Sequence, residues 1–461
     1  MGRYRFLMPL WLLILCPGCS LFAPEPFWYP PAIPAVSQFD RSSAESLPEV
    51  SGTSLSDLDL AAYCDSAGSP DATGHYLRVL ESLWPRLESS IAEDAMDFQV
   101  WNTYHQCIGR FLICAQRHRQ YVPGTGVVIN DGMESRTVPV HLVGLPWTPE
   151  DIQQLFPVGA YHARSLSRQV KHCGLGVPVV ARRTCPTGLH PGDQFVSPGS
   201  VFSMTAVFRT ERADPPGSDS TTVQPIIEFY NPLNVSELNV VGVPRSLARD
   251  LSAPFAFQEV CGSDKVDPFE WFIHPEPGEG RDELFFIEPW QPGKIPVIMI
   301  HGLLSSPRTW VDMANELRSI PVFSDRYQIW GFRYATGRPF MASAAVLRRD
   351  LCVALSQLKQ IDADPALDHV VLVGHSMGGL IAKAQISFSG DKLWFAAANR
   401  SLSQITADQD TRNRLDESFY FAPQPSVRRV VFVAVPHRGS TLATRLVGQI
   451  GTQTGRALWG N

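Results

Sequence analysis

A chain of 461 residues is too long for one ordinary domain and long enough for two or three. Hydrophobic residues at 44% against 18% charged give a globular balance with ample core. A net charge of −6 without any basic run excludes nucleic acid as a natural partner.

The first stretch, residues 1–19, has the form of an export leader. Arg3 and Arg5 supply a positive start, and Phe6 to Leu15 is an apolar run too short to span a bilayer. It ends in Cys16-Pro17-Gly18-Cys19-Ser20. A small residue followed by cysteine resembles the lipobox of bacterial lipoproteins. The resemblance implies acylation of Cys19, a membrane partner through that lipid anchor, and a place in the cell envelope, either at the outer membrane or in the periplasm. Cys16 and Pro17 depart from the motif, so a plain secretory signal and an anchoring segment stay open. Residues 20–50 are rich in Pro and Ser, as an extended tether would be.

Residues 51–122 carry a helical pattern. Tyr76 to Trp84 and Phe98 to Ile113 repeat apolar residues at intervals of three and four, which predicts two packed helices. From 123 to 288 the pattern turns to short strands separated by Gly and Pro. The clearest are at 127–129, 137–143, 201–208 and 225–230. Trp147-Thr-Pro-Glu-Asp151 has the chemistry of a helix start, with Thr148 as cap and Pro149 in the first turn. The histidines of this region are scattered and form no ligand cluster. An export leader implies an oxidising compartment, where Cys173 and Cys185 make the first disulfide to expect. Cys107 and Cys114 lie roughly 10 Å apart along one helix, too far to bridge. Cys352 is expected to be buried on a helix.

A junction is expected at Pro289-Trp-Gln-Pro-Gly293, and residues 289–461 have a different pattern. Ile295 to Ile300 is a continuous apolar run, as in a parallel strand buried on both faces, and it ends in His301-Gly302-Leu303-Leu304. A helix is expected over 310–317, a strand over 327–334 and an amphipathic helix over 341–359. The next run, Val370 to Val373, ends in Gly374-His375-Ser376-Met377-Gly378-Gly379 and opens another helix. This is G-x-S-x-G between strand and helix. The small residues two before and two after the serine let strand and helix approach, and the serine is held in a strained turn. A last strand over 429–435 runs into Pro436-His437-Arg438-Gly439-Ser440. Strand alternating with helix is the βαβ pattern.

These three motifs in this order resemble the α/β-hydrolase superfamily, most nearly its bacterial lipase- and esterase-like members. The resemblance covers residues 290–461. It implies the α/β class, with an α/β-hydrolase parallel sheet at the C-terminal end preceded by a helical and β-rich accessory region. It implies Ser376 as nucleophile and the backbone N–H groups of Leu303 and Met377 as the oxyanion hole. Gly302, Gly374, Gly378 and Gly379 allow close approach, while His301 and His375 pack or orient. The aromatic insertion at 387–427 either covers the site or is a surface excursion with its own small core.

The family's triad continues with an acid and then a histidine. Neither is found at the matching positions. His437 is the one later histidine and a possible base, although its loop resembles a structural element of the family. The expectation is therefore of a sheet that is incomplete at its C-terminal end and of an impaired enzyme. The resemblance implies attack of Ser376 on a carboxylic ester or lipid through an acyl-enzyme, with no metal or organic cofactor. The alternative is a cell-envelope binding or scaffold lipoprotein with a vestigial hydrolase domain. Oligomeric state is not legible.

Overall fold

The computed structural model describes residues 56–130, 135–158, 166–183, 192–196, 200–212, 223–261, 282–303 and 305–439. The expected leader with Cys19, the expected tether and Cys185 lie outside these. Among the described residues, no helix is long and apolar enough to cross a membrane.

Three helices come first: α1 (Asp57–Ser66), α2 (Ala72–Ala92) and α3 (Phe98–Arg117). The sequence pattern marks α2 and α3 but not α1, whose ten residues bury only Ala61 and Asp65. Asp97 caps α3 by accepting the N–H groups of Gln99 and Val100. Buried Asp65 fastens the helices together, accepting from Arg110 and Arg117 on α3. Cys107 and Cys114 are buried thiols on α3 and Cys173 is exposed, while the expected bridge from Cys173 to Cys185 lies outside the described residues.

The strands that follow are β1 (Tyr121–Val122), β2 (Gly126–Asn130), β3 (Ser135–Val138), β4 (Val140–Val143), β5 (Ile152–Pro157), β6 (Lys171–His172), β7 (Val177–Arg183), β8 (Val201–Arg212), β9 (Val223–Tyr230), β10 (Glu237–Val240), β11 (Val243–Ser246) and β12 (Arg249–Asp250). The apolar run at 137–143 is two strands rather than one. Pro139 has no N–H and interrupts it, so β3 joins a sheet ordered β1-β2-β3 and β4 joins one ordered β4-β9-β8-β7-β5. The start at Thr148 gives a single 3₁₀ turn, Pro149–Asp151, before the chain extends into β5. Asp151 accepts the Thr148 N–H at 3.0 Å there, which closes the turn but does not propagate a helix. α2 and α3 lie on the five-stranded sheet, where Tyr104 donates its hydroxyl proton to the Phe208 carbonyl.

α4 (Ala253–Cys261) leads towards a second five-stranded sheet. Its elements are β13 (Glu283–Phe286), β14 (Ile295–Ile300), α5 (Val311–Arg318), α6 (Pro321–Arg326), β15 (Tyr327–Arg333), α7 (Phe340–Ile361), β16 (Val370–His375), α8 (Met377–Ala384), α9 (Lys392–Ala397), α10 (Gln409–Phe419) and β17 (Val427–Val433). The order is β13-β15-β14-β16-β17, with β14 to β17 parallel and β13 antiparallel on β15. Both faces of β14, β15 and β16 are covered, which explains their unbroken apolar runs, whereas the apolar run of edge strand β17 is largely exposed at Val431, Phe432 and Val433 and is not a buried strand. Ile298, Ile300, Trp330 and Leu372 share a core with α7 and α8. Val297, Met299, Ile329 and Val373 form a second cluster with Trp310 and Ala314 and with Phe255 and Ala256 of α4.

The change of pattern near 289 is therefore not an exposed junction. β13 belongs to the sheet that follows it, and Glu288, Trp290 and Gln291 are buried. Phe286 stacks on Trp330 at 4.2 Å and on Phe195 at 5.2 Å. Lys294 Nζ donates to the Leu233 carbonyl at 3.0 Å, and Ser252 Oγ donates to Asn315 Oδ1 at 2.7 Å. Cys352 is exposed on α7, contrary to the expectation of a buried thiol, because the helix turns its apolar stripe, with Leu351 and Leu355, to the sheet instead.

Candidate active site

Ser376 lies between the end of β16 and the start of α8, with φ 51° and ψ −119°. A residue with a Cβ resists that backbone, and it persists only where its surroundings enforce it. Here the Ser376 N–H donates to the Val433 carbonyl at 2.9 Å, and its own carbonyl accepts the Gly379 N–H at 3.1 Å. The serine side chain is left half-exposed at the carboxyl end of the parallel strands.

The four glycines are each required by contact. A Cβ on Gly374 would lie 2.6 Å from Gly379 Cα, and one on Gly378 would overlap the His301 and Ile300 carbonyl oxygens. On Gly379 it would overlap the Val435 side chain. On Gly302 it would stand 3.1 Å from Ser376 Cβ and 2.8 Å from His375 Nδ1. The Gly302–Leu303 backbone is thus laid against the serine. Met377 opens α8, so its N–H has no acceptor within the helix.

His301 is buried and its imidazole stacks on Tyr334, centroids 4.3 Å apart. Its Nδ1 is 3.0 Å from the Gly302 carbonyl oxygen, and its Nε2 faces the Tyr334 N–H at 3.4 Å. A carbonyl only accepts, so Nδ1 carries the proton and Nε2 is the acceptor. Burial, aided by the Arg333 charge, lowers the His301 pKa to about 4 despite the Gly302 hydrogen bond. The ring is neutral at ordinary pH. The Tyr334 hydroxyl donates to the His301 carbonyl at 2.8 Å and closes the unit.

His375 faces Trp310 edge-on, with centroids 6.4 Å apart. Its Nδ1 and the Trp310 Nε1 are both buried without a hydrogen-bond partner. His437 does not reach the serine. Its exposed ring packs edge-on against Phe432 at 4.6 Å, and its N–H donates to the Val435 carbonyl. Among the described residues no acid or histidine is hydrogen-bonded to Ser376 Oγ, and no group of three or more His, Cys, Asp or Glu is placed to hold a metal ion.

The insertion has a small core of its own, as one of the two expectations held. Both its ends are anchored away from Ser376: Gln424 N–H donates to the Gln385 carbonyl beyond the far end of α8, and Val370 N–H, at the start of β16, donates to the Ser426 carbonyl. Trp394 forms its core, edge-on to Phe419 at 5.2 Å and donating to the Arg400 carbonyl. Sequence reasoning missed Tyr334, Trp310 and the turn after β17. Tyr334 had a usable signal, an aromatic at the end of a buried strand. Ala434, with φ 48°, had none, because alanine rarely takes that conformation.

Residues 297–458 match the family model described as the alpha/beta hydrolase family. No curated protein matches the chain. Among solved structures, the lipase BlEst2 of Bacillus licheniformis in its mature form is 20% identical, with a TM-score of 0.21, over 37% of this chain and 56% of that one. Its propeptide form gives the same identity and TM-score over 39% of this chain and 32% of that one. The chain therefore spans little more than half of the mature lipase and a third of its precursor, and at this similarity neither bears on the chemistry. The family match covers the serine turn, the His301–Gly302 turn and β17, and supports an alpha/beta hydrolase domain in this part of the chain.

Proposed function

We propose that the chain is a serine hydrolase that attacks carboxylic esters or lipids through an acyl-enzyme on Ser376. The observation that carries this reading is Ser376 itself, held at φ 51° with its Cβ against the Gly302 backbone. The hydroxyl attacks the ester carbonyl, the alcohol leaves, and water releases the acid. The N–H groups of Leu303 and Met377 receive the negative charge that develops on the carbonyl oxygen. No base among the described residues reaches Oγ, so proton transfer rather than the serine turn limits the rate. General-base help is worth about 10²- to 10⁴-fold.

A fluorophosphonate probe on the full chain tests this. Labelling is expected on Ser376 and is lost in Ser376→Ala, while p-nitrophenyl ester turnover stays slow. Label that survives the substitution would sink the reading in favour of a binding or scaffold role. Turnover at an ordinary enzyme rate that is lost in His437→Ala would make His437 the base after all. The lipid anchor is part of the same proposal. Incorporation of a palmitate analogue should disappear in Cys19→Ala, and persistence would remove the anchor.

A further inference from the structure

We infer that His301 is a positioning residue that sets the direction of the Leu303 N–H by holding the other side of the same peptide unit. The inference rests on the reading of Leu303 as an oxyanion donor. The Gly302 carbonyl and the Leu303 N–H belong to one planar trans peptide, so they point in opposite directions. His301 Nδ1–H fixes the carbonyl.

The strand order says which way each points. β14 lies between β15 and β16, and His301 and Gly302 follow β14 directly. The His301 ring lies towards β15, stacked on Tyr334. The Gly302 carbonyl is therefore drawn to that side, and the Leu303 N–H is turned towards β16, where Ser376 stands. Gly302 itself is packed against Ser376 and His375, so its carbonyl and its Cα are both held.

An unheld Gly302–Leu303 peptide is free to rotate. Its carbonyl would then face the developing oxyanion in place of a donor. Tyr334 stabilises the holder: its ring stacks on the imidazole, its hydroxyl binds the His301 carbonyl, and its N–H faces Nε2. Only the tautomer with hydrogen on Nδ1 satisfies both neighbours.

The side-chain amide nitrogen of asparagine can take the place of Nδ1, whereas glutamine extends towards the position of Nε2 and phenylalanine keeps only the stack. In the full chain, His301→Asn should keep the fluorophosphonate labelling rate of Ser376 within about threefold. His301→Gln and His301→Phe should lower it by about 10²-fold, the scale of losing an oxyanion donor. Imidazole ¹⁵N NMR on the wild-type chain should show the proton on Nδ1. Wild-type labelling in His301→Phe overturns the proposal. So does a loss in all three variants that follows their thermal stability, since that marks a purely structural residue. A proton on Nε2 overturns it whatever the serine does. A wild-type chain that takes no label, or label surviving in Ser376→Ala, strikes the nucleophile reading instead, and is told apart because failure of the present proposal shows only among the His301 substitutions and the NMR signal.

Discussion

A neutral imidazole enclosed beside the Ser376 turn has a cost that appears in acid. In the unfolded chain His301 takes up a proton near its ordinary pKa of 6.5, whereas in the folded chain it resists until about 4. The folded pKa is the lower one, so the unfolded state binds more protons and stability falls with pH through that window. The difference corresponds to about 3 kcal/mol once the pH is below both values. The groups facing the ring are the Gly302 carbonyl, the Arg333 charge, and the ring and N–H of Tyr334, and none of them offers a carboxylate to offset the penalty. Denaturant unfolding of wild type and His301→Asn at pH 7, 5 and 4 should show the variant losing less stability as the pH falls. Other titrating groups cancel in that comparison. Parallel pH curves for the two proteins would mean that His301 is not buried neutral.

At the scale of elements, the strand–turn–helix unit around Ser376 depends on the turn after β17 as well as on its own glycines. Val435 fills the space that a Cβ on Gly379 would need, whereas a Cβ on Gly378 meets backbone carbonyl oxygens of β14 and its turn. A side chain can retreat and a central strand cannot. Gly379→Ala should destabilise by about 1–3 kcal/mol, the usual range for overpacking. Val435→Ala should recover much of that loss in the double variant, while Gly378→Ala should cost more and gain nothing from it. Strict additivity in the double-mutant cycle would show that Val435 and Gly379 do not share this space. The same contrast explains what was legible in advance. Gly374, Gly378 and Ser376 stand at fixed spacing because strand and helix must touch, and such constraints are written in residue types. The buried strands β14 and β16 were legible from their unbroken apolar runs. The left-handed Ala434 and the exposure of His437 leave no local pattern, and the aromatic Tyr334 at a strand end is legible while its stacking partner, set by long-range contact, is not. β13 was read with the preceding strands because four residues do not reveal which sheet they join.

At the scale of the whole molecule, residues before 289 complete the hydrolase sheet rather than standing apart from it. β13 extends the sheet, its Phe286 is layered between Phe195 and Trp330, and α4 brings Phe255 and Ala256 onto Val297, Met299, Ile329 and Val373. Arg318 of α5 ties this side together: it donates to Glu288 and to the Leu251 carbonyl, and its guanidinium lies 4.6 Å from the centre of the Phe255 ring. Burying such a pair is costly unless both charges keep their partners, so the arrangement specifies one way of docking. Cutting the chain at 289 would uncover apolar surface on both faces of the sheet and strip β15 of a neighbour, leaving an unpaired edge open to association. A fragment of residues 289–461 is therefore expected to aggregate more readily than a chain starting at residue 56, which keeps β13 on β15. Limited proteolysis of the full protein should leave 288–291 intact, since Glu288, Trp290 and Gln291 are buried. Within the full chain, Phe255→Ala should cost about 3–5 kcal/mol, the range for a buried aromatic. Because α4 lies directly on the sheet that carries Ser376, that loss should appear in tryptophan fluorescence and in far-UV circular dichroism at the same denaturant concentration. Two separated transitions, with only the earlier one moved by Phe255→Ala, would show instead that the hydrolase sheet stands without the residues before it.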